Sequence, residues 1–289
     1  MPFAAVHKIR KNLGKLALVF LLTLVVAELG LRLAGSAYRV KGAKEPDPNR
    51  YMILCMGESS TVGYGVAPEE TYPNRLEQLL NAENPDQFQV VYDGEMGANS
   101  RKMVALLPDF LRKYRPRMII AMIGVNNHID LDRSNRLLFS RNKTVSETTY
   151  KIMLALNDLR LVKLARVLYY RLGRPAGIYE PGPMPEHRRR LLDNLLRDDL
   201  REIKRFCDAN DIILVFSGYP TGTLRDLHQE MAKELGVPFV DNQATFAQLD
   251  DINDYLLDDH WHPNAAGYQL IAQDVQKTIG PLLPDKATK

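Results

Sequence analysis

The chain has 289 residues, 45% of them apolar and 25% charged. That is the mix of a globular protein long enough to bury a sizeable core, which excludes a disordered or fibrous chain. Two cysteines exclude a disulfide scaffold; Cys55 lies in an apolar run and Cys207 in an amphipathic one, so both read as core residues. Neither C-x-x-C nor H-x-x-x-H spacing occurs, so no structural zinc site is expected. The net charge of +3 is unevenly spread: residues 1–44 hold eight Lys/Arg and one acid, Glu28, which leaves the remainder at −4. A mildly acidic body has no electrostatic footprint for nucleic acid.

At the N-terminus Lys8, Arg10, Lys11 and Lys15 precede the uncharged run Leu16–Ala27, and apolar residues continue to Ala34 around Glu28 and Arg32. Basic residues before an apolar run hold that end in the cytoplasm, so the rest of the chain is expected to cross the membrane. Two readings are open. A cleaved signal peptide would use Leu16–Ala27 and be cut near Ala34-Gly35-Ser36. An anchor would run from about Leu13 to Ala34, with Glu28 and Arg32 paired at i, i+4 near the outer interface. Twelve residues of helix cover only about 18 Å of a roughly 30 Å hydrocarbon core, so the anchor must include both charged residues. The expected organisation is a basic tail and anchor over 1–37, a polar linker over 38–50 with two prolines, and a body over 51–289. The body then lies on the periplasmic side of the inner membrane, or is secreted if the segment is cut.

Strand-like and helix-like patterns alternate through the body. Tyr51–Met56 predicts a buried strand, Thr71–Leu80 a helix, Phe88–Tyr92 a strand and Arg101–Tyr114 a helix. Met118–Ile123 is the most apolar strand. A long amphipathic helix is predicted over Leu191–Asn210, then strands at Ile212–Phe216 and Pro238–Val240 around a helix at Leu224–Leu235. Ala265–Ile279 closes the chain as a helix. Continuous apolar strands alternating with helices imply an α/β fold, a parallel sheet covered on both faces.

The stretch at about 128–190 interrupts the alternation and reads either as an insertion over the carboxyl ends of the strands or as a surface excursion. Within it, Asn157–Gly173 predicts an amphipathic helix with Leu161, Leu164, Ala165, Leu168 and Leu172 on one stripe. Arg160, Lys163, Arg166, Arg171 and Arg174 supply positive charge. Such a helix either packs on the body or lies on an anionic membrane surface.

Four segments carry chemistry. Gly57-Glu58-Ser59-Ser60-Thr61 follows the first strand, and a serine at a strand-to-helix turn is exposed at the sheet edge. No G-K-[ST] or G-x-G-x-x-G follows, so this is neither a P-loop nor a dinucleotide fingerprint. Asp259-His260-Trp261-His262-Pro263-Asn264 opens the last helix and places a carboxylate three residues before a histidine, which suits a base held in one tautomer. Tyr92–Ser100 after strand two and Gly124-Val125-Asn126-Asn127 after strand three put glycine and amide groups where an oxyanion could be met. His260 is the rival base, set aside because it is one residue from Asp259; His128, His187 and His228 are expected to be surface polar residues.

In this order the four segments resemble the blocks of the SGNH/GDSL hydrolase superfamily, over about Tyr51 to Ile279 without the insertion. The resemblance implies a three-layer, flavodoxin-like fold with a five-stranded parallel sheet in the order 2-1-3-4-5. It implies Ser59 as nucleophile, His262 as base and Asp259 as its orienting carboxylate. The oxyanion hole would combine the N–H groups of Ser59 and Gly97 with the Asn126 side chain. Glu58 stands where aspartate is usual, and Asn127 replaces the aspartate usual after the block-three asparagine. No metal or organic cofactor is implied. The implied activity is a serine esterase or lipase acting on carboxylic esters, O-acetyl esters of envelope carbohydrate or lipid among them. An O-acyltransferase of polysaccharide modification and a non-catalytic anchored envelope subunit are the alternatives. The membrane, through the N-terminal helix, and the ester substrate are the expected partners, and nucleic acid is not one.

Overall fold

Each strand of the body is a run of apolar residues whose alternate side chains feed two cores. The computed structural model describes residues 3–40, 44–83, 85–127, 156, 159–162, 164–165 and 186–284. In β1 (Tyr51–Gly57), Met52, Leu54 and Met56 enter one core while Ile53 and Cys55 enter the other. β3 (Met118–Met122) repeats this, with Ile119 and Ala121 on the first side and Met118, Ile120 and Met122 on the second. Burial on both faces is why these segments are continuously apolar rather than alternating. β2 (Phe88–Gly94), β4 (Ile213–Ser217) and the two-residue β5 (Phe239–Val240) complete an all-parallel sheet of order β2-β1-β3-β4-β5. The interior strand β1 pairs with both neighbours, Tyr51 opposite Phe88 and Ile53 opposite Met118.

Helices cover both faces. α4 (Ser100–Tyr114), α5 (Glu186–Asp208) and α6 (Arg225–Leu235) close the first core; α3 (Tyr72–Glu83) and α8 (Ala265–Ile279) close the second. α8 buries Tyr268, Ile271, Ala272, Val275 and Ile279, the 3.6-residue stripe that made it legible in the sequence. Large apolar side chains buried in this way contribute about 1.5–3 kcal/mol each. Two short helices, α2 (Ser59–Val62) and α7 (Asn242–Phe246), are too brief to show a period and were not expected. The fold is thus the α/β three-layer arrangement expected, with strand order as anticipated. Cys55 and Cys207 are fully buried, and burial pushes both thiols up to about 12.

One histidine was misread. His228 is not a surface residue: α6 carries it into the body, fully buried, with Nε2 3.1 Å from the Ile123 carbonyl. The amphipathic period of α6 places it on the inner face, and a single carbonyl partner makes burial tolerable for the neutral ring. His128, the His187 side chain and most of the expected helix Asn157–Gly173 lie outside the described residues.

The chain divides into two units, residues 1–43 with 134–183, and residues 44–133 with 184–289. In the first, α1 (Phe3–Val40) includes a 21-residue stretch, Gly14–Ala34, of mean hydropathy 2.2, long and apolar enough to cross a membrane. Glu28 and Arg32 pair within it at 2.8 Å. Parts of the segment expected to be a linker have structure of their own: residues 38–40 continue α1, and residues 44–50 are bonded to the body. There Asp47 N–H donates to Gln89 Oε1 at 2.7 Å, Gln89 Nε2 donates to the Glu45 carbonyl at 2.8 Å, and Lys44 pairs with Glu77 at 2.9 Å.

Candidate active site

The carboxyl end of β1 delivers Ser59. Gly57 ends the strand where no side chain fits: a Cβ would stand 2.5 Å from the Met122 carbonyl and 2.2 Å from Thr61 Oγ1. The chain therefore passes tightly between neighbouring strands and turns straight into α2 at Ser59. Ser59 Oγ lies 2.8 Å from His262 Nε2.

The loop before α8 delivers the histidine. Leu257 N–H donates to the His262 carbonyl at 2.8 Å, and Leu256 and Pro263 form an antiparallel bridge. Asn264 caps α8 through the N–H groups of Ala266 and Gly267, and its amide donates back to the Asp254 carbonyl at 2.8 Å. Asp259 Oδ1 accepts from the N–H groups of Trp261 and His262, each at 2.9 Å, and Oδ2 is 2.6 Å from His262 Nδ1. Burial raises the Asp259 carboxyl, but these hydrogen bonds outweigh it and hold the group below its ordinary value. An ionised carboxylate only accepts, so Nδ1 of the neutral imidazole carries the hydrogen and Nε2 is left to accept from Ser59. Tyr64 packs on the imidazole with ring centroids 4.6 Å apart. His260 points elsewhere, with Nδ1 2.9 Å from Asn253 Oδ1.

The turns after β2 and β3 hold the two remaining expected groups. Gly97 is exposed in the turn after β2 at φ 71°, a left-handed conformation that suits glycine. Asn126, after β3, is 7% exposed, and its Nδ2 is buried without a hydrogen-bond partner among the described residues. A buried amide donor left unpaired costs free energy, about 1–3 kcal/mol. It is a donor waiting for an acceptor.

The turn carrying Asn126 is pinned from four directions. Glu58 Oε1 accepts from Gly124 N–H at 2.8 Å, and Glu58 Oε2 accepts from the Tyr219 hydroxyl at 2.5 Å. Val125 N–H donates to Tyr219 Oη at 3.4 Å. His228 Nε2 donates to the Ile123 carbonyl, because a carbonyl only accepts. Asn127 Oδ1 accepts from Ser100 N–H at 2.9 Å, and Asn127 Nδ2 donates to Ser100 Oγ at 2.8 Å. Burial drives the Glu58 carboxyl up to about 8, against the pull of Tyr219 and Gly124, and drives His228 down to about 4.

Asn127 now has a physical reason. Ser100 Oγ donates onward to Asp199 at 2.5 Å, and Asp199 is itself buried, held by Arg101. An aspartate at position 127 would place a second carboxylate one hydroxyl away from Asp199. Of the five residues expected at the site, the structure joins Ser59, His262 and Asp259 in one hydrogen-bonded chain and holds Gly97 and Asn126 in the neighbouring turns, with no bond to them among the described residues; Tyr219, His228, Ser100 and Asp199 were not anticipated. No local signal marks those four, since each acts across 27 or more residues of sequence.

Beside the β3 turn lies a cavity of about 580 Å³ whose lining includes Val125, Asn127, Leu196, Thr221, Leu227 and Trp261. A serine, a histidine and an aspartate thus share one hydrogen-bonded chain at the carboxyl edge of a parallel α/β sheet, the edge at which such sheets bind ligands. The sequence profile of the GDSL-like lipase/acylhydrolase family matches residues 55–220. The chain belongs to that family, and the protein is a hydrolase acting on ester bonds. Its fold is similar to the crystal structure of TesA, with a TM-score of 0.52 at 14% identity over 80% of this chain and 99% of that one. It is likewise similar to the psychrotrophic esterase EstA from Pseudoalteromonas sp., with a TM-score of 0.51 at 13% identity over 81% and 100%. A comparison with curated protein sequences gave no match.

Proposed function

We propose that the protein cleaves carboxylic esters with Ser59 as nucleophile, His262 as general base and Asp259 as the carboxylate that orients it. The observation that carries this reading is the continuous chain from Ser59 Oγ to His262 Nε2 at 2.8 Å and from His262 Nδ1 to Asp259 Oδ2 at 2.6 Å. Ser59 Oγ attacks the ester carbonyl as its proton passes to His262, and Asp259 stabilises the imidazolium that forms. The tetrahedral oxyanion is met by the N–H groups of Ser59 and Gly97 and by Asn126 Nδ2, the unpaired buried donor. His262 returns the proton to the leaving alcohol, and water then releases the acyl group by the same route in reverse.

The chain is read as 1–37 anchor, 38–50 connecting segment and 51–289 hydrolase body, with the body outside the inner membrane. The apolar stretch Gly14–Ala34, preceded by basic residues, supports this orientation. An anchored exported esterase meets envelope esters, and acylated carbohydrate or lipid is the substrate class that location favours. The test is hydrolysis of a short p-nitrophenyl ester by the full chain in detergent, wild type against Ser59→Ala. Loss of turnover with Ser59→Ala is expected. Equal turnover by both would overturn the assignment, and turnover that requires an added carbohydrate acceptor would make the protein a transferase.

A further inference from the structure

Glu28 is the one acid in the apolar stretch Gly14–Ala34. An acid placed there is costly unless something pairs with it, and such residues mark contacts. Its two carboxylate oxygens take three donors. Oε1 accepts from Arg32 Nε at 2.8 Å and from Arg160 N–H at 3.0 Å; Oε2 accepts from Leu161 N–H at 2.9 Å. The Glu28 side chain is only 13% exposed as a result. Arg160 and Leu161 begin a helical run that includes residues 160–162 and 164–165. The first N–H groups of a helix lack partners within it, and a carboxylate there also complements the helix dipole. The match is reciprocal: the acid gains two donors besides Arg32, and the N–H groups of Arg160 and Leu161 gain an acceptor.

The contact also fixes a depth. Glu28 is six residues before Ala34, about 9 Å along a helix axis, so it lies inside the spanning stretch rather than beyond it. A segment bonded to Glu28 through its backbone must come to that level. Among the side chains it brings, Leu164 is 41% exposed and Leu156 46%, and on α1 Leu29 is 55% and Leu33 71% exposed; Arg160 in the same segment can extend its charged head to the headgroup level. In hydrocarbon, exposed leucines are at home, whereas backbone N–H groups need an internal acceptor, which Glu28 supplies. A cleaved signal peptide would discard this acceptor.

We propose that the insertion re-enters the outer interface of the bilayer at residues 156, 159–162 and 164–165 and docks on the anchor through Glu28, with lipid as the partner of its exposed leucines. The proposal rests on the anchor reading above. It makes the anchor and the insertion one membrane-embedded body, and gives the protein a second contact with the bilayer besides its spanning helix.

The test uses the full chain in vesicles of phosphatidylcholine and phosphatidylglycerol. An environment-sensitive fluorophore is attached through Leu164→Cys, with Val25→Cys as the spanning reference and Asp109→Cys as the exposed reference on α4. The native Cys55 and Cys207 are buried and do not compete for label. The Leu164→Cys probe should be quenched several-fold more by brominated acyl chains than by aqueous iodide, as at Val25→Cys and opposite to Asp109→Cys. Adding Glu28→Ala should move the Leu164→Cys probe to the aqueous pattern and leave Val25→Cys unchanged. Glu28→Gln, which keeps one acceptor, should fall between. An aqueous pattern at Leu164→Cys beside a lipid pattern at Val25→Cys overturns the docking and leaves the anchor standing. An aqueous pattern at both overturns the two together.

Discussion

The two halves of the candidate site are held by different means. The acid–base half, Asp259 to His262, is secured by bonds within its own loop and by the Asn264 cap, all spanning ten residues or fewer apart from the link to Ser59. The Asn126 half is secured by buried partners 27 to 105 residues distant: Ser100, Glu58, Tyr219 and His228. A donor that must meet charge only in the transition state has to be placed before reaction, and long-range buried contacts do that better than a loop can. A proton carrier needs its tautomer set, which one carboxylate three residues away can do. Substitutions in the first half should therefore change rate alone, and substitutions behind the second should change stability as well.

The largest expected effect tests the first half. Ser59→Ala and His262→Ala should each lower kcat by about 10⁴–10⁶-fold, with the thermal midpoint nearly unchanged; a midpoint shift matching the loss of rate would make these residues structural. If Asn126 donates to the oxyanion as proposed, rather than to bound ester, Asn126→Ala should lower kcat by about 10²–10³-fold with little change in KM. Steady-state kinetics on one ester would show this, and a rise in KM alone would contradict it.

Behind the second half, stability should depend on pH through Glu58. Its folded value is raised to about 8 from an ordinary 4.5, so between those values the folded protein holds a proton that the unfolded chain has lost. Stability then falls as pH rises, by up to about 1.4 kcal/mol per pH unit. His228, lowered to about 4, opposes this only below its ordinary 6.5, where stability falls as pH drops. Denaturant unfolding should thus show a decline from pH 6.5 to 8 that Glu58→Gln flattens, and an unchanged slope in that variant would place the titration elsewhere.

Asn127→Asp should cost about 1–3 kcal/mol near neutral pH, because it sets a carboxylate against the Ser100–Asp199 pair, and part of that loss should return on acidification. His260→Ala is the smallest effect, within about 0.5 kcal/mol in stability and without loss of rate. A large loss of rate from it would exchange the two histidines.

Much of this was legible in the chain by itself. Continuous apolar runs such as Met118–Ile123 can only be strands buried on both faces, and the stripe Tyr268, Ile271, Ala272, Val275 dictates one face of a helix, because burial imposes its period on local sequence. Ser59, Gly97, Asn126, Asp259 and His262 could be nominated from short spaced motifs for a related reason, since turn chemistry and a histidine with a nearby carboxylate are local; the fold joins Ser59, His262 and Asp259 in one chain. What the tertiary structure decided was everything that works through distance. His228 reads as an ordinary polar residue until α6 turns it beneath Ile123, and Asn127 reads as a departure until Ser100 and Asp199 stand beside it. Glu28 reads as an awkward charge in an apolar run until Arg160 and Leu161 come to it. A residue type states which bonds it can make; only the fold brings the partner, and with it the cost or gain of leaving water.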